Sequence, residues 1–433
     1  MSVKADIIRS MKDYLGLGAS DRSIQRGLKN ASYLSLGNLV SQAVGFVGFL
    51  FIARLFGPEK YGIYVTVLAF VTFFEIFDLS GLLKVIVREG SKDVASLERT
   101  LNDTIFLKTI FFSLALVLCI GASFLTHYSH TIKALIILFS LELVYSGLES
   151  FLSAIYQTVE KMQYLAAFTV LTRVLITVLS IVFLYLGAGV LAILLVNLFS
   201  RYLVLLIDYV CSRRFAKFRF NFRLRLDPRI LKATIIFSLM GIINTVAIKI
   251  DVLMISFLAA SRDVGIYSVA QEFIKEGIIL RNMAAMAFFP IAVKYFHSGT
   301  MRIRTLLRYS FVLFFGVLAG CVVLSFFAPD IVILFFGDKY AASGEIFRLL
   351  LFCLPVAFFM LPFSTALQAT HNEQFLLIVF AIAAALNVPL NILFFYEFGL
   401  IGIAYSTLVV FLAQAVALYV LSIRKMKHQG YLV

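Results

Sequence analysis

The sequence predicts an all-α membrane protein of about 12 transmembrane helices, arranged as two six-helix lobes related by a parallel repeat. Three observations predict this fold: the composition, the spacing of the apolar stretches and an internal repeat. Of 433 residues, 61% are hydrophobic and 14% are charged, whereas soluble domains carry about 25% charged residues. A soluble core cannot hide so much apolar side chain, because much of its surface still faces water. The composition therefore excludes a soluble enzyme, a secreted domain and a disordered regulator.

Twelve stretches are apolar and long enough to cross a bilayer, whose core of about 30 Å needs about 20 helical residues. They begin near Ala31, Tyr61, Thr104, Ile132, Gln163, Val190, Ala233, Gly265, Leu306, Ile346, Phe375 and Gly399. Very short turns at 186–189 and 396–399 join spans 5 and 6 and spans 11 and 12. Neither turn leaves room for an extramembrane domain.

The distribution of Lys and Arg predicts the orientation of these spans. If both termini are cytoplasmic, the inner segments hold 27 of the 38 basic residues and the outer loops hold five. Such an excess marks the cytoplasmic side of a membrane protein. We therefore expect a multi-pass protein of the cytoplasmic (inner) membrane with both termini cytoplasmic. Topology also explains most of the net charge of +14, so a nucleic-acid partner is not expected.

The spans and the charged segments between them divide the chain into five parts. Apolar and charged residues alternate at helical spacing in residues 5–15, which is typical of a helix on the membrane surface. The predicted parts are a cytoplasmic N-terminal amphipathic segment (1–30), an N-lobe with spans 1–6 (31–211), a basic cytoplasmic linker (212–232), a C-lobe with spans 7–12 (233–423) and a cytoplasmic tail (424–433). The linker also suits contact with anionic lipid headgroups.

The two halves of the chain resemble each other. Residues 55–64 have a counterpart in 258–267 at an offset of 203, and residues 187–192 match 399–404 at an offset of 212. Six spans in each half bring both halves into the membrane in the same direction. A parallel repeat of this kind is typical of secondary transporters.

Cofactor and metal chemistry find no support in the sequence. The four cysteines are far apart and form no CxxC pair, and no cluster has metal-ligand spacing. The chain also lacks the GxxxxGK[ST] sequence of ATP-binding loops. We expect no cofactor, no metal and no enzymatic activity, and transport driven by a gradient, a membrane potential or substrate supply.

Charged side chains within spans are the candidate functional residues, because they are costly in a bilayer and normally face a bundle interior or an aqueous cavity. Basic groups approach the midplane from several helices, and their excess suits an anionic ligand such as a diphosphate. The predicted substrate-binding residues are Lys249, Lys275, Arg281, Arg173 and Arg201. The polar and coupling candidates are Asp251, Glu272, Glu75, Asp78, Glu142, Glu149, Asn38 and Gln42. The alternative is that these groups pair with one another and hold helices together.

Several motifs, in order and spacing, resemble the polysaccharide-biosynthesis, O-antigen (Wzx-like) flippase family. They are the segments 53–64 (ARLFGPEKYGIY), 78–81 (DLSG), 87–89 (VRE), 250–254 (IDVLM), 264–270 (VGIYSVA), 332–340 (VILFFGDKY), 387–391 (NVPLN) and 399–402 (GLIG). The resemblance covers nearly the whole chain. It implies the fold of the multidrug/oligosaccharidyl-lipid/polysaccharide (MOP) exporters, a MATE-like pair of lobes around a central cavity.

The resemblance also implies a function. Members of this branch move polyprenyl-diphosphate-linked oligosaccharides to the outer leaflet by alternating access, and their spans 1, 2, 7 and 8 line the cavity. The implied partners are a lipid-linked oligosaccharide of the undecaprenyl- or dolichyl-diphosphate type, membrane lipids and other polysaccharide-assembly membrane proteins. Span 1 carries no charged residue, which counts against a lipid II substrate and against drug antiporters with a first-span carboxylate.

Two other functions remain open. A cation-coupled multidrug or metabolite antiporter of the same fold should have a net acidic cavity, with a carboxylate whose protonation gates release. A membrane-embedded glycan polymerase or ligase needs carboxylates or metal ligands on a large outer loop, and no such loop is predicted.

Overall fold

The computed structural model describes residues 21–79, 81–217, 228–297 and 303–428, and these ranges are helical apart from short turns. The helices are α1 (Asp21–Phe73), α2 (Gly81–Gly90), α3 (Val94–Leu125), α4 (His130–Phe139), α5 (Leu141–Thr158), α6 (Met162–Tyr185), α7 (Val190–Ser212), α8 (Pro228–Leu258), α9 (Ser261–His297), α10 (Ile303–Phe336), α11 (Ala341–Leu350), α12 (Cys353–Ala369), α13 (Glu373–Phe398) and α14 (Leu400–His428). Short 3-10 turns occupy Phe74–Phe77 and Asp338–Tyr340. The predicted amphipathic segment at residues 5–15 and linker residues 218–227 lie outside the described residues.

Within the described ranges, ten helical segments are long and apolar enough to cross a membrane. One of them, Ser32–Phe77, has 46 residues, enough for two crossings, and α1 breaks within it at Gly57, where φ is 70° and a proline follows. The helix α8, at 31 residues, is also long enough to cross a bilayer. These helices confirm the predicted all-α polytopic membrane fold.

The repeat predicted from the sequence is also visible in the backbone. Span 4 is divided into α4 and α5 at Ser140, and span 10 is divided into α11 and α12 at 351–352, near the same offset of 212. Gly187 and Gly399, which correspond at that offset, both have positive φ, 82° and 66°. Glycine adopts this conformation without a Cβ clash. The short turns that close the two lobes are therefore built alike.

The helices pack into two compact units. The first consists of Met1–Ile52 and Phe70–Ile242, and the second of Ala53–Ala69 and Ile243–Val433. The segment Ala53–Ala69, where α1 passes from span 1 to span 2, thus packs with the second unit rather than with its neighbours in sequence.

A reciprocal glycine contact, together with a tyrosine hydrogen bond, explains why Ala53–Ala69 belongs with the second unit. A Cβ built on Gly62 would lie 1.6 Å from the carbonyl oxygen of Ser261, and one on Gly265 would lie 2.0 Å from that of Pro58. Pro58 and Gly62 correspond to Ser261 and Gly265 at the repeat offset of 203. The Tyr340 hydroxyl also donates to the Ala53 carbonyl at 2.8 Å. Equivalent segments of the two repeats therefore touch backbone to backbone.

Each unit has its own apolar core. In the first, α2, α3 and α5 meet around Leu82, Leu101 and Ile155. In the second, α9, α10, α12 and α14 meet around Leu306, Phe363 and Leu418. Large apolar side chains nevertheless remain exposed along the outer faces of the helices, notably on α10. A soluble monomer rarely leaves apolar patches of that extent in water, so these faces suit contact with lipid.

A buried ion pair joins the end of span 2 to span 3. Lys108 donates to the Asp78 carboxylate at 2.7 Å and to the Asp78 carbonyl at 2.8 Å, and both side chains are almost fully buried. The topology prediction counted Lys108 among the cytoplasmic basic residues, but it lies inside α3. The helix packing buries it because Asp78 provides the compensating charge.

We expect either single change, Asp78→Leu or Lys108→Met, to destabilise the protein by about 3–5 kcal/mol, because each strands one uncompensated charge. The double variant Asp78→Leu with Lys108→Met should be more stable than both. Thermal unfolding in detergent, followed by the monodisperse fraction, would measure this cycle. Equal losses that simply add would show that the pair contributes no coupling.

Candidate functional site

The first unit encloses a polar cavity of about 250 Å³. The helices α5, α6 and α7 surround it, together with Ser41 of α1 and the 3-10 turn after span 2. Its ionisable side chains, apart from Tyr145, are Glu75, Glu142, Glu149, Asp208, Arg173 and Arg201. Four carboxyl groups and two guanidinium groups thus share one small space.

The break between α4 and α5 positions the acidic face of this cavity. Because α5 starts at Leu141, Glu142 lies in its first turn, and Ser146 and Glu149 follow on the same face. Glu142 pairs with Arg201 of α7, and the Arg201 guanidinium also lies over the Tyr145 ring, 5.3 Å from its centroid. This pair crosses between two helices, as the structural interpretation of the charges predicts.

The cavity holds two of the predicted diphosphate ligands, Arg173 and Arg201. Arg173 packs closely against Gly45 of α1, where a Cβ would lie 3.2 Å from the Arg173 Cδ. Both arginines are in the first unit, surrounded by carboxyl groups, whereas Lys249, Lys275 and Arg281 belong to the second unit. The five predicted basic residues therefore form two groups in different surroundings.

Arg281 of α9, in the second unit, is held by neutral hydrogen-bond acceptors. Its guanidinium donates to the Ser364 hydroxyl at 2.9 Å, to the Asn282 side chain at 3.0 Å and to the Ala357 carbonyl at 3.3 Å. Among the residues that the structure describes, no carboxylate pairs with it. Neutral acceptors orient this group without cancelling its charge, which leaves it able to bind an anion.

The two predicted lysines of the second unit differ from Arg281. Lys275 is exposed and forms an ion pair at 2.5 Å with Glu272, three residues earlier on α9. That pair follows ordinary helical spacing and offsets much of the lysine charge. Lys249 is half-buried on α8, two residues before Asp251.

Asp251 lies at the centre of a buried polar network in the second unit. Asn391 donates to its Oδ1 at 2.9 Å, while the hydroxyls of Tyr267 and Thr407 lie 3.3 Å and 3.2 Å from its Oδ2. Asn391 also donates to Asn387 at 2.8 Å. Helices α8, α9, α13 and α14 thus meet at one carboxylate.

The hydroxyl groups around Asp251 lie near more hydrogen-bond acceptors than they have hydrogens to donate. Thr407 also lies 2.8 Å from the Ile403 carbonyl and Ser406 bonds to the Asn391 side-chain oxygen, and each hydroxyl carries one hydrogen. Carboxylate, amide and hydroxyl oxygens are ligands that hard cations prefer. In the described ranges, no group of three or more His, Cys, Asp or Glu side chains is placed to hold a metal ion.

Of the remaining predicted candidates, Glu75 lines the first-unit cavity, whereas Asn38, Gln42 and Asp78 do not. Asn38 is exposed and Gln42 half-buried on α1, while Glu75 is half-buried in the 3-10 turn at the first-unit cavity. Asp78 forms the ion pair with Lys108 instead of lining that cavity.

Several residues of these clusters were not among the predicted candidates. Asp208 lines the cavity seven residues after Arg201, a helical spacing that could have revealed it. Asn387 and Asn391 are separated by one helical turn inside an apolar span, and this spacing of two amide side chains could have identified them from the sequence. Tyr267 and Thr407 carry no such signal, because hydroxyl groups are common in membrane helices.

The comparison with protein families decides where the chain belongs. The family model described as "Polysaccharide biosynthesis protein" matches residues 27–296, more than half of the chain. The chain belongs to the polysaccharide biosynthesis protein family. A second model, MatE, matches residues 237–393 of this family member. The recognition made from the sequence motifs is thereby confirmed.

Solved structures agree on the fold of this polysaccharide biosynthesis family member. "Lipid II flippase MurJ, inward closed conformation" is 17% identical, with a TM-score of 0.74, covering 90% of this chain and 87% of that one. An inward-facing multidrug resistance MATE family transporter is 17% identical, with a TM-score of 0.72 and coverages of 89% and 95%.

A MOP superfamily transporter from Pyrococcus furiosus, described as having a binding pocket of reverse polarity, is 18% identical, with a TM-score of 0.63 and coverages of 92% and 96%. The comparison with curated proteins gives no significant match. The fold is that of the MOP superfamily, and the protein is a multi-pass membrane protein.

Proposed function

We propose that this protein is a flippase that moves a polyprenyl-diphosphate-linked oligosaccharide, a polysaccharide repeat unit, across the cytoplasmic membrane by alternating access. Membership of the polysaccharide biosynthesis family and the MOP fold support transport rather than catalysis. The observation that carries the proposal is Arg281, a guanidinium held inside the second unit by neutral acceptors, with no carboxylate partner among the described side chains.

Lys249 and Lys275, the other two predicted basic residues of the second unit, add to this anion site in our proposal. A diphosphate carries several negative charges, and charge-assisted hydrogen bonds from a planar guanidinium are the strongest protein contacts it can make. Lys249 and Lys275 supply further positive charge. Lys275 does so once its ion pair with Glu272 is replaced by a contact with the diphosphate. Arg173 and Arg201 are less suited to this role, because Arg201 already pairs with Glu142 in a cavity rich in carboxyl groups.

In this proposal, Asp251 binds the cation that couples to transport. Its carboxylate is buried among oxygen-bearing groups of four helices, so gain or loss of a cation there would change how those helices pack. In repeat-built transporters, alternating access comes largely from rocking of one repeat against the other around a fixed site. The expected partners are the lipid-linked oligosaccharide, membrane lipids and other polysaccharide-assembly membrane proteins. In this proposal both termini of the protein are cytoplasmic.

A cation-coupled antiporter of the same fold is the second candidate. The observation that favours it is the first-unit cavity, in which carboxyl groups outnumber guanidinium groups four to two. Such a cavity suits a cationic compound, and the MatE model also matches part of the chain.

Transport into proteoliposomes tests the proposal. The wild-type protein should move a labelled polyprenyl-diphosphate oligosaccharide between leaflets, and the triple variant Lys249→Gln, Lys275→Gln, Arg281→Gln should not. The control variant Arg348→Gln removes a cation that already pairs with Glu345 at 2.9 Å on α11, so transport should persist. Efflux of a cationic drug without lipid movement would instead establish the antiporter.

A further inference from the structure

The carboxyl groups of the first-unit cavity are only partly compensated. Glu142 uses one oxygen for Arg201, while its Oε2 is buried and has no hydrogen-bond partner. The Oδ1 of Asp208 is likewise buried without a partner, and that residue is 4% exposed. In the described part of the chain, Glu149 has no ion pair. Burying a carboxylate in this state is costly unless a positive charge joins it.

Charged groups face Glu149 and Asp208 from α5, α6, α7 and the 3-10 turn after span 2. Arg201 lies on α7, Glu142 on α5, Arg173 on α6 and Glu75 in the turn after span 2. Lys108 on α3 and Asp78 at the end of span 2 are also close enough to act on Glu149, but the opposite charges of this buried pair nearly cancel. The helix α1 offers only Ser41 to the cavity. The local balance therefore remains two carboxyl groups in excess.

We propose that Glu149 and Asp208 form a proton-binding site inside the first unit, separate from Asp251 in the second. One carboxyl group takes up a proton at its unpartnered oxygen and becomes a neutral hydrogen-bond donor. The neighbouring carboxylate, or the free Glu142 Oε2, accepts that hydrogen bond. The site then holds its proton within the packing of α5 and α7, which gives this unit a loaded and an empty state.

The surroundings favour a proton over a metal cation. A metal ion would keep its full charge near Arg201 and Arg173, and repulsion between like charges is strong where little water screens them. A proton neutralises one carboxylate and leaves no net charge to repel. A proton also needs one oxygen, whereas metal cations need several ligands arranged around them.

Infrared difference spectroscopy on the full-length protein tests this inference directly. Spectra recorded between mildly acidic and mildly alkaline buffer should show the C=O stretch of a protonated carboxyl group in the wild type. The double variant Glu149→Gln, Asp208→Asn should lose this band. Glu149→Gln alone should lose at least half of it, which keeps the test open if the Asp208 change prevents folding. Glu345→Gln, at an exposed carboxylate on α11, is the matched control and should retain the band.

The outcomes separate the possibilities. A band that is absent from the wild type, or unchanged in the Glu149→Gln variant, overturns the proposal. Loss of the band when Na⁺ replaces choline at constant pH overturns it in favour of a metal-cation site. The measurement contains no transported substrate, so its result is independent of whether the protein moves a lipid-linked oligosaccharide.

Discussion

Arg281→Gln is expected to lower transport of a labelled polyprenyl-diphosphate oligosaccharide by about 30-fold or more. The change removes a charged hydrogen-bonding group from a desolvated anion site, and loss of such a contact costs about 2–5 kcal/mol. The Ser364 hydroxyl and the Ala357 carbonyl lose a donor at the same time. Initial rates in proteoliposomes, normalised to reconstituted protein, would measure the effect.

Two further variants separate charge from geometry at this position. Arg281→Lys keeps the positive charge but loses the planar fork that binds two phosphate oxygens at once, so an intermediate rate is expected. Arg348→Gln should transport as the wild type does. If Arg281→Gln elutes as a folded monomer and transports normally, Arg281 is a structural residue and the anion site lies elsewhere.

Gly62→Ala and Gly265→Ala are expected to destabilise the protein more than alanine substitutions elsewhere in its helices. Each added Cβ would overlap a backbone carbonyl oxygen, at 1.6 Å and 2.0 Å, and a backbone cannot rotate away as a side chain can. Overpacking of this kind costs about 1–3 kcal/mol. The apparent unfolding temperature in detergent should fall by roughly 2–6 °C.

Gly320→Ala is the matched control, because a Cβ at that position of α10 meets no atom within 4 Å. Alanine is the better helix former by about 1 kcal/mol, so this variant should be as stable as the wild type or more so. If Gly62→Ala and Gly320→Ala unfold at the same temperature, the close approach of the two repeat segments does not contribute to stability.

The sequence was sufficient for the membrane spans because hydropathy is a local property. A run of apolar residues such as α10 is recognisable whatever it packs against. The two turns at Gly187 and Gly399 were equally accessible, because they end long apolar runs and match each other in sequence.

Ion pairs between charged side chains could not be predicted in the same way, because they depend on which helices pack against each other in the folded protein. Lys108 looked cytoplasmic until α3 was found to bury it against Asp78. Arg201 and Arg281 looked equivalent in sequence, yet one faces Glu142 and the other faces neutral acceptors. The spacing of Asp208 from Arg201 places both on one face of α7, but only the packing shows that α5 and its carboxyl groups lie opposite that face.

The placement of Ala53–Ala69 in the second unit has a consequence for expressing the protein as two separate fragments. A cut in the central linker would divide the chain where its sequence repeat divides. The N-terminal fragment would then carry a segment whose partners, Ser261, Gly265 and Tyr340, are encoded in the other fragment. Neither half is self-sufficient, so a split gene should yield stable protein only when both fragments are co-expressed. The N-terminal half of the chain therefore depends on the C-terminal half for the packing of this segment.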